Sequence, residues 1–274
     1  SAADVERAVS AARAAFPANW WLRAGWACLG AYVIYAAARL DFTWGRFVVG
    51  IDNGARFIGR MIPPVIAQPD SLANGLIESL QIALLASFLG IVISLPIGLL
   101  AARNLMPVWA TWPARLAIAL CRSFHPVIVA ILFVKAVGFG AMAGILALVV
   151  ASIGFIGKLF AEAIEEISLK QVEAVRATGA SFMNVITYGV LPQAFTRFIG
   201  FATYQLDSNL RNSTMVGIVG AGGIGGTLFS AFQRFDYDFV AAILLSIIAM
   251  IMVGEVLAGW VRGVFLEKGK VEGD

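Results

Sequence analysis

Six apolar blocks, at residues 20–40, 76–102, 118–137, 141–156, 195–219 and 239–261, leave this chain few ways to fold. Hydrocarbon offers no hydrogen-bonding partner, so a segment that crosses it must satisfy its own backbone N–H and C=O groups, and a single apolar run does so as a helix. About 20 residues rising 1.5 Å each are needed for one crossing. The expected class is therefore all-α, a polytopic membrane protein of about six transmembrane helices. Composition agrees: 60% of the residues are hydrophobic and 14% charged, against roughly half and a quarter in soluble domains, and the mean hydropathy is +0.85.

The segments between the blocks divide the chain further. Residues 1–19 are an alanine-rich polar flank in which Arg7 and Arg13 face Asp4 and Glu6, and Trp20-Trp21 closes it as an interfacial anchor. The chain begins at Ser1 without a methionine, as a trimmed N-terminus would. The first apolar run is too long for a cleavable signal peptide, and no small-x-small site follows it. In residues 41–71, Trp44, Phe47, Val48, Ile51, Ala55 and Ile58 recur at helical spacing, with Arg46, Asp52, Asn53, Arg56 and Arg60 on the other side. That pattern predicts an amphipathic helix in the membrane interface. Pro69-Asp70-Ser71 opens the next helix, which tolerates Pro96 and Gly98. We thus expect an N-terminal part over 1–75, a core over 76–266 and a charged tail over 267–274. Placing the N-terminus, the 103–122 loop, the 158–194 loop around Glu173 and the tail inside puts most Lys and Arg on the cytoplasmic side, with the arginines of residues 41–71 arguing against it, so both termini are expected in the cytoplasm.

The longest polar-leaning stretch, residues 173–192, stands between two apolar blocks. Residues 169–178 read as a short amphipathic helix, Gly179 as a left-handed stop, Ser181 as the cap of a second short helix and Pro192 as its break. The segment resembles the EAA loop of the permease subunits of binding-protein-dependent ABC importers: E-A-A, three residues, G, nine residues, I-x-L-P. Glu173, Ala174, Gly179, Leu191 and Pro192 fall on this pattern. Val175 replaces its second alanine and Gly189 its isoleucine. Wider wording is similar to the phosphonate-import branch of that family: Glu78-Ser79-Leu80-Gln81, Gly157 to Ala163 and Val219 to Gly225.

Enzyme chemistry finds few of its usual parts. With one histidine, neither a zinc cluster nor a Ser-His-Asp array can be assembled, and we expect no metal site. Cys28 and Cys121 lie in different apolar segments without metal-type spacing and read as ordinary thiols. Gly157-Lys158 is followed by Leu159 and preceded at the required distance by Ser152, so it is no P-loop. Gly220, Gly222 and Gly225 do match G-x-G-x-x-G, but a membrane segment precedes them where the dinucleotide motif needs a strand. Gly220, Gly222, Gly223 and Gly225 read better as a helix break or gate where backbones approach closely. The small net charge of +3 comes from scattered basic residues, and no nucleic-acid partner is expected.

Ionisable residues within apolar segments are the remaining candidates, since a charge in hydrocarbon costs a few kcal/mol and normally faces protein or water. Arg122, His125, Lys135, Asp207, Arg211 and Glu255 qualify. Arg122 also reads as an interfacial cation, Lys135 as a snorkelling one, His125 before Pro126 as a helix-start residue, and Asp207 with Arg211 as an i,i+4 salt bridge. Arg211, Asn212, Ser213 and Thr214 join one cation to three neutral hydrogen-bonding side chains, a chemistry suited to a transient phosphorus oxyanion.

The resemblance implies a type I importer permease in the bacterial inner membrane, itself no enzyme and without a cofactor. Its implied partners are ATP-binding subunits that hold ATP and Mg, a periplasmic or extracellular substrate-binding protein, a second copy of the chain and the lipid bilayer. The implied solute is phosphonate or a related phosphorus oxyanion. Phosphate, phosphite or an amino acid are alternatives, and an ATP-independent secondary transporter is the rival class.

Overall fold

The structure is a computed structural model that describes residues 20–40 and 43–271, with side chains as far as residue 264. The polar flank of residues 1–19 and the side chains of the 267–274 tail lie outside the described residues. All regular elements among the described residues are helical. The chain forms two compact units, residues 1–59 and 60–274.

The first unit contains α1, Trp20–Arg39, and most of α2, Trp44–Arg60. The Trp20 and Trp21 rings lie 4.7 Å apart at the start of α1. Helix α2 is the amphipathic element expected from its spacing: Phe47, Val48, Ile51 and Ile58 form an exposed apolar stripe, and Arg56 pairs with Asp52 one turn away.

The second unit begins with α3, Pro69–Ala101, α4, Val108–Ser123, and α5, Pro126–Val137. Helix α6, Ala141–Glu165, leads into the short α7, Leu169–Ala177, and α8, Phe182–Val185. A π-helical turn, Ile186–Val190, then joins α9, Leu191–Ile218, which is followed by α10, Ile224–Gln233, and α11, Tyr237–Val271. At the centre α3 crosses α6, and small residues set how closely. A Cβ on Gly90 would stand 2.3 Å from Ser152 Cβ, and one on Gly98 would stand 2.9 Å from the Phe160 ring. Lipid tails are as apolar as leucine, so close packing of small residues supplies the attraction that water would supply in a soluble core. At 33 residues, α3 rises about 50 Å, enough to exceed the hydrocarbon thickness.

Two corrections to the sequence reading follow. The apolar block 118–137 is not one straight crossing: α4 and α5 meet at 93°. Phe124 and His125 are extended there, His125 because a residue preceding proline is pushed out of the α region. Of the six expected crossings, α3, α6 and α11 are each long and apolar enough alone to span a membrane, and the α4–α5 pair is so if taken as one bent span; α1 and α9 are helices of 20 and 28 residues with lower mean hydropathy. Second, Pro192 does not break a helix. The π turn widens the backbone by one residue, and Pro192 falls in the first turn of α9, where its missing N–H and its ring cost little.

Candidate functional site

Gly179 turns the segment between α7 and α8. Its φ of +77° is the left-handed conformation that glycine adopts without a Cβ penalty, and its Cβ direction is empty to 4 Å, so the dihedral alone demands glycine. Its N–H donates to Arg176 O at 3.0 Å, and Thr178 Oγ1 donates to Val175 O at 2.7 Å. Ser181 occupies the cap position of α8 as expected, but its side chain makes no capping bond.

The hairpin has two faces. Val172, Val185, Ile186 and Val190 are buried against Phe160 and Ile164 of α6 and Ala194 of α9. Outward stand Glu173 and Ala174, with Leu191, Pro192 and the exposed apolar side chains of Phe182, Met183 and Tyr188. Polar clamps tie its base to the long helices. Gln193 Oε1 accepts the Ser168 N–H at 2.9 Å, its Nε2 donates to Gly189 O at 2.6 Å, and Arg197 pairs with Glu166. At the end of α6, Glu165 takes the Arg103 N–H at 2.8 Å and Arg115 Nη2 at 2.6 Å.

The two departures from the loop pattern meet each other in space. A Cβ on Gly189 would lie 3.4 Å from Val172 Cα and 3.6 Å from Val175 Cγ2. The larger residue at 175 thus occupies room left by the smaller one at 189. A large-for-small exchange is matched by its reverse, as close packing requires.

The candidates on α9 do not form one cluster. Arg211 is exposed and pairs with Asp207, whose side chain is 13% exposed and whose Oδ1 is buried without a hydrogen bond. Asn212 is half-buried, with Nδ2 3.4 Å from Ser208 Oγ. Ser213 is buried, and its hydroxyl donates to Leu210 O, while that of Thr214 donates to Arg211 O. Consecutive residues on a helix leave it about 100° apart, so four in a row cannot converge on one ligand. Arg122 and His125 belong to the α4–α5 bend, and α4 packs on α3 and α6. His125 caps α5, with Nδ1 accepting the Val127 N–H at 3.3 Å. Glu255 is exposed on α11.

A buried polar network escaped the sequence reading. Asn209 Nδ2 donates to Ser87 Oγ at 2.9 Å and to Ser152 Oγ at 3.0 Å. Gln205 Nε2 donates to Ser152 Oγ and to Asn209 Oδ1, both at 2.9 Å. All four residues are at most 4% exposed, and they pin α3, α6 and α9 together. The available signal was Gln205 and Asn209 at i,i+4 spacing inside an apolar block, neutral residues that a search for charges passes over.

At the end of the unit away from the hairpin, Gly220, Gly222 and Gly223 have φ between +81° and +86°. Gly223 lies over Ser79, whose Oγ accepts the Ile224 N–H at 2.9 Å. Gly225 touches Thr214 O and Gly217, so that a Cβ there would lie 2.0 Å from that oxygen. The break borders a cavity of about 450 Å³ that Glu78, Phe139, Thr227 and Arg234 also line.

Comparison with known proteins gives consistent results. Residues 94–266 match the family described as binding-protein-dependent transport system inner membrane component. The chain is 39% identical over 238 residues to a phosphate-import permease protein, PhnE, of Mycolicibacterium smegmatis, covering 86% of this chain and 44% of that protein, so it spans less than half of that relative. It is 38% identical over 252 residues to the phosphite transport system permease protein PtxC of Stutzerimonas stutzeri, covering 90% and 91% of the two chains. Among solved structures, an inward-facing MetNI methionine ABC transporter chain superposes with a TM-score of 0.62 at 25% identity, over 71% of this chain and 95% of that one.

Proposed function

The chain belongs to the family of inner membrane components of binding-protein-dependent transport systems, and from that premise we propose that it is the permease subunit of an ATP-driven importer of a phosphorus oxyanion. The observation that carries this reading is the exposed hairpin around Gly179, seated on α6 and α9 through a buried apolar face and polar clamps. Such a hairpin suits a docking element: its outer surface offers Glu173 beside exposed apolar side chains, and its inner surface transmits displacement to two long helices. ATP-binding subunits that hold ATP and Mg would engage it from the cytoplasm, with the glycine break outside, and the distribution of basic residues is the basis on which we place both termini inside.

Two copies of the chain would enclose the path, with a soluble binding protein delivering the solute at the outer end. The exposed Arg211, held by Asp207, is the cation we assign to the path. It is exposed in a single subunit, as a group lining a passage between copies must be. Names of relatives favour phosphate or phosphite among oxyanions, and phosphonate belongs to the same chemical class. The likeness to a methionine transporter supports an amino acid as the second reading.

Replacing Cys28 and Cys121 and introducing Ser181→Cys tests the docking assignment. With the ATP-binding subunits co-expressed, this cysteine should crosslink to them and should react with impermeant thiol reagents only when the cytoplasmic face is open. Labelling from outside in intact cells would reject the orientation and the docking role together.

A further inference from the structure

A cavity of about 210 Å³ lies between α3, α4 and α6, near the hairpin end of the unit, with Arg115, Arg122, Lys158 and Glu162 around it. Its floor is apolar, made by Ile118 and Ala161 among others. Two of the three cations already have partners: Arg115 holds Glu165 at 2.6 Å and Ala101 O at 2.9 Å, and Lys158 lies 3.4 Å from Glu162. Arg122 has no acidic partner among the described residues.

The position of Arg122 is nevertheless fixed. A Cβ on Gly154 would lie 2.7 Å from Arg122 Cγ and 3.1 Å from its backbone nitrogen, and Gly157 faces Ile118 at 3.3 Å. Two glycines of α6 thus seat α4 and hold the arginine stem beside the cavity. The adjoining side of α4 displays Trp112, Leu116 and Leu120 at i,i+4 spacing, 68%, 44% and 57% exposed. In a bilayer such a stripe meets acyl chains, and tryptophans mark headgroup level. The cavity therefore joins a guanidinium without a counter-charge to an apolar floor beside a lipid-facing surface.

We propose that this cavity binds the phosphate headgroup of an anionic phospholipid, with acyl chains lying along the outer face of α4. A small inorganic oxyanion would find the same cation but gain nothing from the apolar floor and stripe, whereas a phospholipid uses both. The inference goes beyond the transport reading and does not depend on which solute the protein moves or on which face meets the ATP-binding subunits.

The test measures lipid retained by the full chain, purified in detergent and titrated with phosphatidylglycerol or phosphatidylcholine of equal chain length, by native mass spectrometry. The protein should retain phosphatidylglycerol in preference. Arg122→Gln should weaken that retention about fivefold, the effect of one cation near a phosphate, and leave phosphatidylcholine unchanged. Ala119→Phe, which fills the cavity without altering charge, should also lose phosphatidylglycerol and carries the test if the arginine variant does not fold. Equal retention of the two lipids, or unchanged phosphatidylglycerol in the folded variants, would overturn the proposal. So would displacement of phosphatidylglycerol by millimolar inorganic phosphate, which would give the site to a free oxyanion.

Discussion

Gly179 and the Val175–Gly189 pair are where the proposed coupling role can be tested at the level of single residues. Gly179→Val places a β-branched residue at φ +77°, at a cost of about 1–2 kcal/mol in the left-handed region. Since nothing occupies its Cβ direction, the change should redirect the hairpin without disturbing the core. Transport should fall at normal membrane levels; uptake equal to wild type would reject the docking assignment. For the pair, Gly189→Ile alone should overpack the contact with Val172 and Val175, costing about 1–3 kcal/mol. Adding Val175→Ala restores the family's own combination and should recover most of the loss in a thermal-unfolding double-mutant cycle. Purely additive effects would show that the two positions are independent. The glycine at 179 was legible in the sequence because its spacing and its conformational need coincide. The pairing of 175 with 189 was not, because fourteen residues and a turn separate them and only the folded hairpin brings them together.

Helix α9 concentrates what the elements contribute. Gln205 and Asn209 are buried and bonded to α3 and α6, and Arg211 is exposed, so one helix serves both as an internal polar seam and as a candidate wall of the path. The Asp207–Arg211 pair has two readings that mutation separates. Arg211→Gln leaves the mostly buried carboxylate of Asp207 without its partner, and a buried charge without a partner destabilises the fold; both transport and assembly should suffer. The double change Asp207→Asn with Arg211→Gln should restore assembly with the ATP-binding subunits, measured by co-purification, while uptake stays low. Recovered uptake would reduce the pair to a structural bridge. Apolar runs made α3, α6 and α11 legible as spans. The break between α4 and α5 was hidden because hydropathy sums across residues 118–137 without weighing the backbone restriction that Pro126 places on His125. The π turn ahead of Pro192 has no compositional signature at all, since it depends on the backbone hydrogen bonding where α8 runs on into α9.

For the whole molecule, the helices of the second unit form a frame with the hairpin at one end and the glycine break at the other, tied through the central α3–α6 crossing. Gly90→Leu should wedge these helices apart, because a Cβ alone already lies 2.3 Å from Ser152. Its expected signature is loss of folded protein and of hairpin-bound ATP-binding subunits together; a stable, fully coupled variant would show that the crossing does not transmit the motion. The central claim is that this frame moves a phosphorus oxyanion inward only when ATP is hydrolysed by partner subunits. The most direct measurement is uptake of labelled phosphite, phosphate and methylphosphonate, with methionine as control, into proteoliposomes holding the chain, its ATP-binding subunits and its binding protein. ATP-dependent uptake of at least one oxyanion, abolished by Gly179→Val and absent for methionine, is the predicted result. Uptake that proceeds without ATP or partner subunits, or ATP-driven uptake of methionine alone, would contradict it.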